Sequence, residues 1–221
     1  MGETTDTTII VRVEKDEQQS GRYVIHFEHA APLNVHEDVM IKYRLLKGTE
    51  VSLSFMEEII RADEKNKAYV HALKYLQRKP KTRAELHRYL SQKAYEAEII
   101  DTVLNQLEQE WLVDDASYAE AWLEQRVVRH HKGRRLVQQE LKQKGVHARH
   151  IARAMDALDP EQERESALHA AHKKWRQTSG EPFLRKQKVA AFLARRGYPS
   201  DLARQAANQA ASEEQFEETE E

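Results

Sequence analysis

Seven Lys and Arg residues fall between Arg126 and Val146 against one carboxylate, Glu140. They are Arg126, Arg129, Lys132, Arg134, Arg135, Lys142 and Lys144, around the run HHKGRR. A second basic block spans 164–204, with ten Lys/Arg against three Asp/Glu, and includes Lys173, Lys174, Arg185, Lys186, Lys188, Arg195 and Arg196. Clustered cations neutralise phosphates by releasing counterions, which gives salt-dependent and largely sequence-blind affinity. They are equally suited to an acidic protein surface. The residues alone do not choose between those partners.

Other chemistry is poorly represented. The pairs His147/His150 and His169/His172 and the doublet His130-His131 suggest metal binding, but zinc needs three or four converging ligands and there is no HExxH motif. The absence of cysteine excludes disulfides, thiolate ligands and thiol nucleophiles. Asp114 and Asp115 are the one neighbouring carboxylate pair in a suggestive setting. Adjacent helical residues point apart, so a helix N-cap explains them better than general acid–base work. No phosphate-binding glycine loop or nucleophile elbow occurs. These observations predict a non-enzyme without cofactor or metal.

The net charge of −2 is an average over segregated blocks. Residues 1–64 carry net −6, 126–146 net +6, 164–204 net +7, and 205–221 net −6 with no basic residue. With 33% charged residues and a mean hydropathy of −0.81, thin stacked layers suit the chain better than one thick core. There is no apolar run of about 18 residues and no signal-like start, which predicts a cytoplasmic protein with no membrane contact.

The elements follow from periodicity. Ile9, Val11 and Val13, then Tyr23, Ile25 and Phe27, alternate as a hairpin. A helix capped by Asn34 follows, with Val39, Tyr43 and Leu46 on one face and Gly48 as its stop. Ser54 with Glu57 opens a long helical pattern toward Lys79, with a break near Asp63 possible on sequence grounds. Thr82 with Glu85 forms another capping box after Pro80. From there the chain repeats. Leu86/Leu90, Val137/Leu141 and Val189/Leu193 stand 51 and then 52 residues apart, ending at Ala94, Gly145 and Gly197. The glycines suit the positive φ of a helix C-cap, and Ala94 predicts a looser one. Each such helix lies between two others, giving a three-helix unit used three times. The expected fold is mainly α: three tandem three-helix repeats in an elongated curved array, with a small N-terminal β-hairpin/helix module. The boundaries read as 1–48 for the module, 49–112, 113–159 and 160–212 for the repeats, and 213–221 for a disordered acidic tail. The third repeat is alanine-rich, so its core should be shallower.

The stretch WLVDDASYAEAWLEQRV…HKGRRLVQQELKQKGV resembles the RecX family of regulatory proteins. The resemblance rests on Asp114-Asp115, Tyr118-Ala119, Arg126, the helix opening at Gly133-Arg134-Arg135, and the stop at Lys144-Gly145. It covers roughly residues 65–210 and includes the triple repeat. Family members usually carry Pro directly after that Gly, where this chain has Arg134. The hairpin extension is similar to that of longer members from Gram-positive bacteria. The resemblance implies binding to the RecA recombinase and its nucleoprotein filament, in the filament groove. It also implies restraint of RecA's ATPase, strand exchange and co-protease activities in recombination and the SOS response, and weak, salt-dependent binding to single- and double-stranded DNA.

On this reading the fourteen basic residues of repeats two and three named above form the contact face of a monomer. Reversal of Arg134 and Arg135 to Glu should weaken regulation and spare the fold. The competing reading is a nonspecific or operator-specific helical DNA-binding protein, since tri-helical units can resemble helix-turn-helix modules. A histidine-ligated hydrolase is the alternative from the enzyme class.

Overall fold

The computed structural model describes residues 7–220, with side chains through Glu213. The chain is mainly helical, with three-helix repeats and a small N-terminal strand module. It divides into two compact units, Met1–Lys79 with Leu86–Glu110 and Pro80–Glu85 with Trp111–Glu221.

In the first unit the hairpin is β1 (Thr7–Lys15) and β2 (Arg22–Phe27), paired antiparallel with Val13 opposite Ile25. Two further strands join it, β3 (Leu33–His36) against β2 and β4 (Glu50–Ser52) against β1, in the order β3-β2-β1-β4. Isolated two-stranded hairpins are marginal in water, and the added strands supply pairing that local alternation does not announce. Asn34 therefore lies in β3, and the short helix α1 (Glu37–Lys42) is capped by His36, whose Nδ1 accepts from Asp38 N. The chain leaves the helix before Leu46, so Leu45 is buried and Leu46 is exposed. Ile10, Ile25, Phe27, Val35, Val39, Leu45, Val51, Met56 and Ile59 form the core.

Helix α2 (Leu53–Leu76) is capped by Ser52, which accepts from Phe55 N, rather than by Ser54. It runs unbroken past Asp63 because that carboxylate is buried with partners. Asp63 accepts from Arg22 at 2.7 Å and from His36 N at 2.8 Å, and pairs with Lys67 at 2.8 Å. Burial raises the pKa of Asp63, but the hydrogen bonds from Arg22, Lys67 and His36 N outweigh it and leave the carboxyl below its usual range. The unit is completed by α4 (Ala97–Gln109) and by Leu86 and Leu90 of α3 (Arg83–Gln92).

The second unit carries α5 (Asp115–Glu124), a π-helical turn at Gln125–Arg129, α6 (Arg134–Gln143), α7 (Ala148–Asp156), α8 (Pro160–Arg176), α9 (Pro182–Arg195) and α10 (Ser200–Glu220). Asp114 caps α5 by accepting from Ala116 N and Ser117 N. Thr82 and Glu85 exchange the two hydrogen bonds of a capping box at 3.1 Å each. Gly145 and Gly197 have φ of +79° and +90°, and Ala94 is held at +62°. One core gathers Ala119, Leu123, Val127, Val137, Leu141, Val146, Ile151, Ala154 and Leu158. The other is built mostly of alanine, closed by Trp175, Val189, Leu193 and Tyr198. The tail 213–221 lies largely outside the residues with described side chains, and its backbone continues α10 to Glu220. No helix among the described residues is long and apolar enough to cross a membrane.

Candidate functional site

The motif residues around Trp122 form a layered stack. Tyr118 and Trp122, one helical turn apart on α5, stack at 5.8 Å between centroids. The Arg126 guanidinium lies 4.0 Å from the Trp122 ring, and Lys144 Nζ is 4.4 Å from the same ring. Two carboxylates serve these cations. Glu140 accepts from Trp122 Nε1 at 3.0 Å and from Lys132 Nζ at 2.6 Å. Arg126 Nε stands 3.0 Å from Glu140 Oε2, off hydrogen-bond alignment. Lys144 Nζ donates to Glu85 at 2.9 Å. Burial pushes Glu140 up, but Lys132, Trp122 and Arg126 together hold it below the usual carboxylate range. Glu85 is also held low, because Lys144 and the Thr82 N–H outweigh its burial. Lys144 is shifted up, Tyr118 and Glu85 prevailing over desolvation. The result is a cation–π and ion-pair framework in which two carboxylates hold three cations.

A second device fixes helix starts. Asp115 accepts from Arg83 N at 2.8 Å, and Glu163, 2% exposed, accepts from Arg134 N at 2.8 Å and from Arg134 Nε at 2.5 Å. Thus an acidic residue early in α5 caps α3, and one early in α8 caps α6. The adjacent loops interlock. Thr82 Oγ1 donates to Lys144 O, Gly133 N to Arg196 O at 2.9 Å, and Arg135 N to Gly197 O at 3.1 Å. A Cβ on Gly133 would lie 2.3 Å from Gly197 C and Tyr198 N, so only glycine permits this approach. Asp115 itself is shifted up by burial.

The π-helical turn belongs to the same joint. Ser166 Oγ donates to Val127 O at 2.7 Å and lies 2.8 Å from Tyr198 Oη. His131, at φ +47°, stacks on His169 at 4.1 Å. Burial, with the neighbouring charges of Arg196 and Lys173, holds His131 below its ordinary pKa. Burial drives the Tyr198 hydroxyl up to about 12.

The fourteen basic residues therefore separate into two groups. Arg126, Lys132, Lys144 and Arg134 are half-buried and paired as described. Arg185 stacks on Trp175 at 4.0 Å and donates to its carbonyl, and Arg196 donates to the carbonyls of His131 and His130. Lys174 lies 5.5 Å from the Phe192 ring, and Lys186 is half-buried. Arg129, Arg135, Lys142, Lys173, Lys188 and Arg195 are exposed and make no ion pair among the described residues. Arg134 is thus part of the scaffold, which changes the expectation for its reversal. Sequence reasoning passed over Asp115 and Glu163 as partners. Their signal was their place in the first turn of the helix that precedes the central basic stretch of repeats two and three. Among the described residues no three His, Asp or Glu side chains gather as a metal site.

Family models for the first, second and third three-helix domains of RecX match residues 68–107, 114–155 and 161–207. Regulatory protein RecX of Levilactobacillus brevis is 32% identical over 195 residues, which span 88% of this chain and 73% of the relative. Its counterpart in Halalkalibacterium halodurans is 32% identical over 203 residues, 90% of this chain and 76% of the relative. A crystal structure of a regulatory protein RecX superposes with a TM-score of 0.74 at 30% identity, covering 88% of this chain and 96% of that one. The structure of RecX from Lactobacillus salivarius, at 23% identity and a TM-score of 0.63, shares the fold over 67% of this chain and 97% of its own. With three domain models falling in order on the three helical repeats, the chain belongs to the RecX family of regulatory proteins.

Proposed function

We propose that this chain binds RecA and its nucleoprotein filament and restrains RecA's ATPase, strand exchange and co-protease activities in recombinational repair and the SOS response. The observation that carries this reading is the ordered match of all three RecX domains to residues 68–207. The exposed cations Arg129, Arg135, Lys142, Lys173, Lys188 and Arg195 are the residues free to meet an acidic protein surface or DNA phosphate. The half-buried cations hold the helices that present them. The protein acts in the cytoplasm as a monomer, without cofactor or catalysis of its own. Its affinity for single- and double-stranded DNA is weak and falls with salt.

The direct test is single-stranded-DNA-dependent ATP hydrolysis by RecA, with and without this protein, at several salt concentrations. A dose-dependent fall in rate is expected. An unchanged rate at every salt concentration, with no association between this chain and RecA filaments, would overturn the proposal.

A further inference from the structure

A basic cleft of about 450 Å³ opens in the second unit between the end of α8, the loop after it and the outer face of α9. Lys174, Gln177, Thr178, Ser179, Lys188, Ala191 and Arg195 line it, with no carboxylate among them. We infer that this cleft holds a nucleic-acid phosphodiester strand. The inference deepens the reading above and rests on it, because it assigns the DNA contact to one place within the basic chain.

Three features point to a strand rather than a small anion or a protein. Lys188, Ala191 and Arg195 recur on one face of α9, so Lys188 and Arg195 are separated by two turns, about 10.5 Å along the axis. Cations spread over two turns suit successive charges of a polyanion. The hydroxyl of Ser179 and the amide of Gln177 line the same cleft, donors of the kind that phosphate and sugar oxygens accept from. The lining has no large apolar side chain apart from the lysine stems. Protein interfaces draw their energy from buried aromatic or aliphatic anchors, which this cleft does not offer.

The local backbone is prepared for negative charge. The last carbonyls of a helix ordinarily repel an anion. Here Lys174 O accepts from Gln177 N at 3.2 Å and Thr178 Oγ1 at 2.8 Å, and Trp175 O accepts from Thr178 N at 2.9 Å and Arg185 at 3.1 Å. Two of the last carbonyls of α8 are therefore already matched. Lys174, beside the Phe192 ring, is held at the cleft wall, while Lys188 and Arg195 are exposed.

The test is binding of the full chain to a fluorescent single-stranded oligonucleotide and to the matching duplex, across a salt series. The cleft variant is Lys188→Gln/Arg195→Gln. The control is Arg164→Gln/Arg204→Gln, which removes two exposed charges from the same repeat outside the cleft. For a single strand, loss of two phosphate contacts makes the slope of log affinity against log salt shallower by about 1.4. Between about 50 and 200 mM salt, the cleft variant's affinity should then change about sevenfold less than that of the wild type. The control should retain the wild-type slope, and the two ligands show whether the cleft prefers an unpaired strand. Equal loss in both variants, loss in neither, or absence of DNA binding by the wild type would each overturn the assignment. The effect of the wild-type chain on RecA ATPase is read separately, so a failed cleft assignment and a failed RecA reading are distinguishable. All four substituted residues are exposed, and an unchanged urea midpoint verifies that each variant is folded.

Discussion

Reversing the two adjacent arginines one at a time separates scaffold from surface. Arg134 Nε stands 2.5 Å from Glu163, whose side chain is 2% exposed, while the Arg134 side chain is 39% exposed. Removing one partner of a fully buried pair costs about 3–5 kcal/mol, whereas a surface pair is worth less than about 1. The half-exposed arginine places its removal between these limits, roughly 2 kcal/mol. Arg134→Glu adds a second carboxylate beside an already buried one, bringing the expected loss to roughly 3 kcal/mol. Arg135 is exposed and unpaired among the described residues, so Arg135→Glu should change stability by less than about 0.5 kcal/mol. Urea unfolding followed by tryptophan fluorescence reads the second unit, because Trp122 and Trp175 pack within it while Trp111 is 82% exposed. With slopes of about 1–3 kcal/mol per molar, Arg134→Glu should lower the midpoint by about 1–3 M and Arg135→Glu should leave it in place. Arg135→Glu should instead weaken regulation of RecA ATPase. A wild-type midpoint for Arg134→Glu would refute the scaffold role of the Arg134–Glu163 pair.

Two further perturbations test the joint around the π-helical turn. Gly133→Ala forces a Cβ to within 2.3 Å of backbone on both Gly197 and Tyr198, with φ unstrained; it should cost about 2–4 kcal/mol from overpacking and weakened loop hydrogen bonds. Gly180→Ala, which meets nothing within 4 Å but has φ +111°, should cost only about 1 kcal/mol, and equal urea midpoints for the two would remove the close-approach argument. The pH dependence follows from His131, whose folded-state pKa lies below 6.5. The unfolded chain then binds the proton first, so this contribution is complete above about pH 7 and is lost progressively as pH falls from about 6.5 through the lower folded-state value. His131→Asn, which tolerates the positive φ, should flatten the urea midpoint between pH 7.5 and 5, and an identical slope to wild type would exclude His131 as the source.

The extra turn at the start of α9 sets the third repeat apart from the first two. In α3 and α6 the helix start receives a cap from the following repeat, through Asp115 and Glu163. By the 52-residue offset the corresponding place in α9 is near Arg185, yet α9 begins at Pro182 and Arg185 lies on Trp175. The third repeat therefore covers with its own chain the place that the earlier two leave for a successor.

Much of the molecule is determined by sequence alone, because it depends on neighbours within a turn or two. The capping box at Thr82/Glu85, the Asp114 cap, the positive φ at Gly145 and Gly197, and the triple spacing of Leu86, Val137 and Val189 are local and periodic properties. Strands β3 and β4 escaped that logic, since three or four residues carry no period and acquire strand geometry only by pairing with β2 and β1. The basic face was legible as composition but not as a site. Whether a cation meets solvent or a carboxylate depends on residues such as Glu163, 29 positions from Arg134, and Glu85, 59 positions from Lys144. Sequence fixed the number and order of the charges. Tertiary packing decided which of them remain free, because a buried charge must find its partner inside the protein and an exposed one need not.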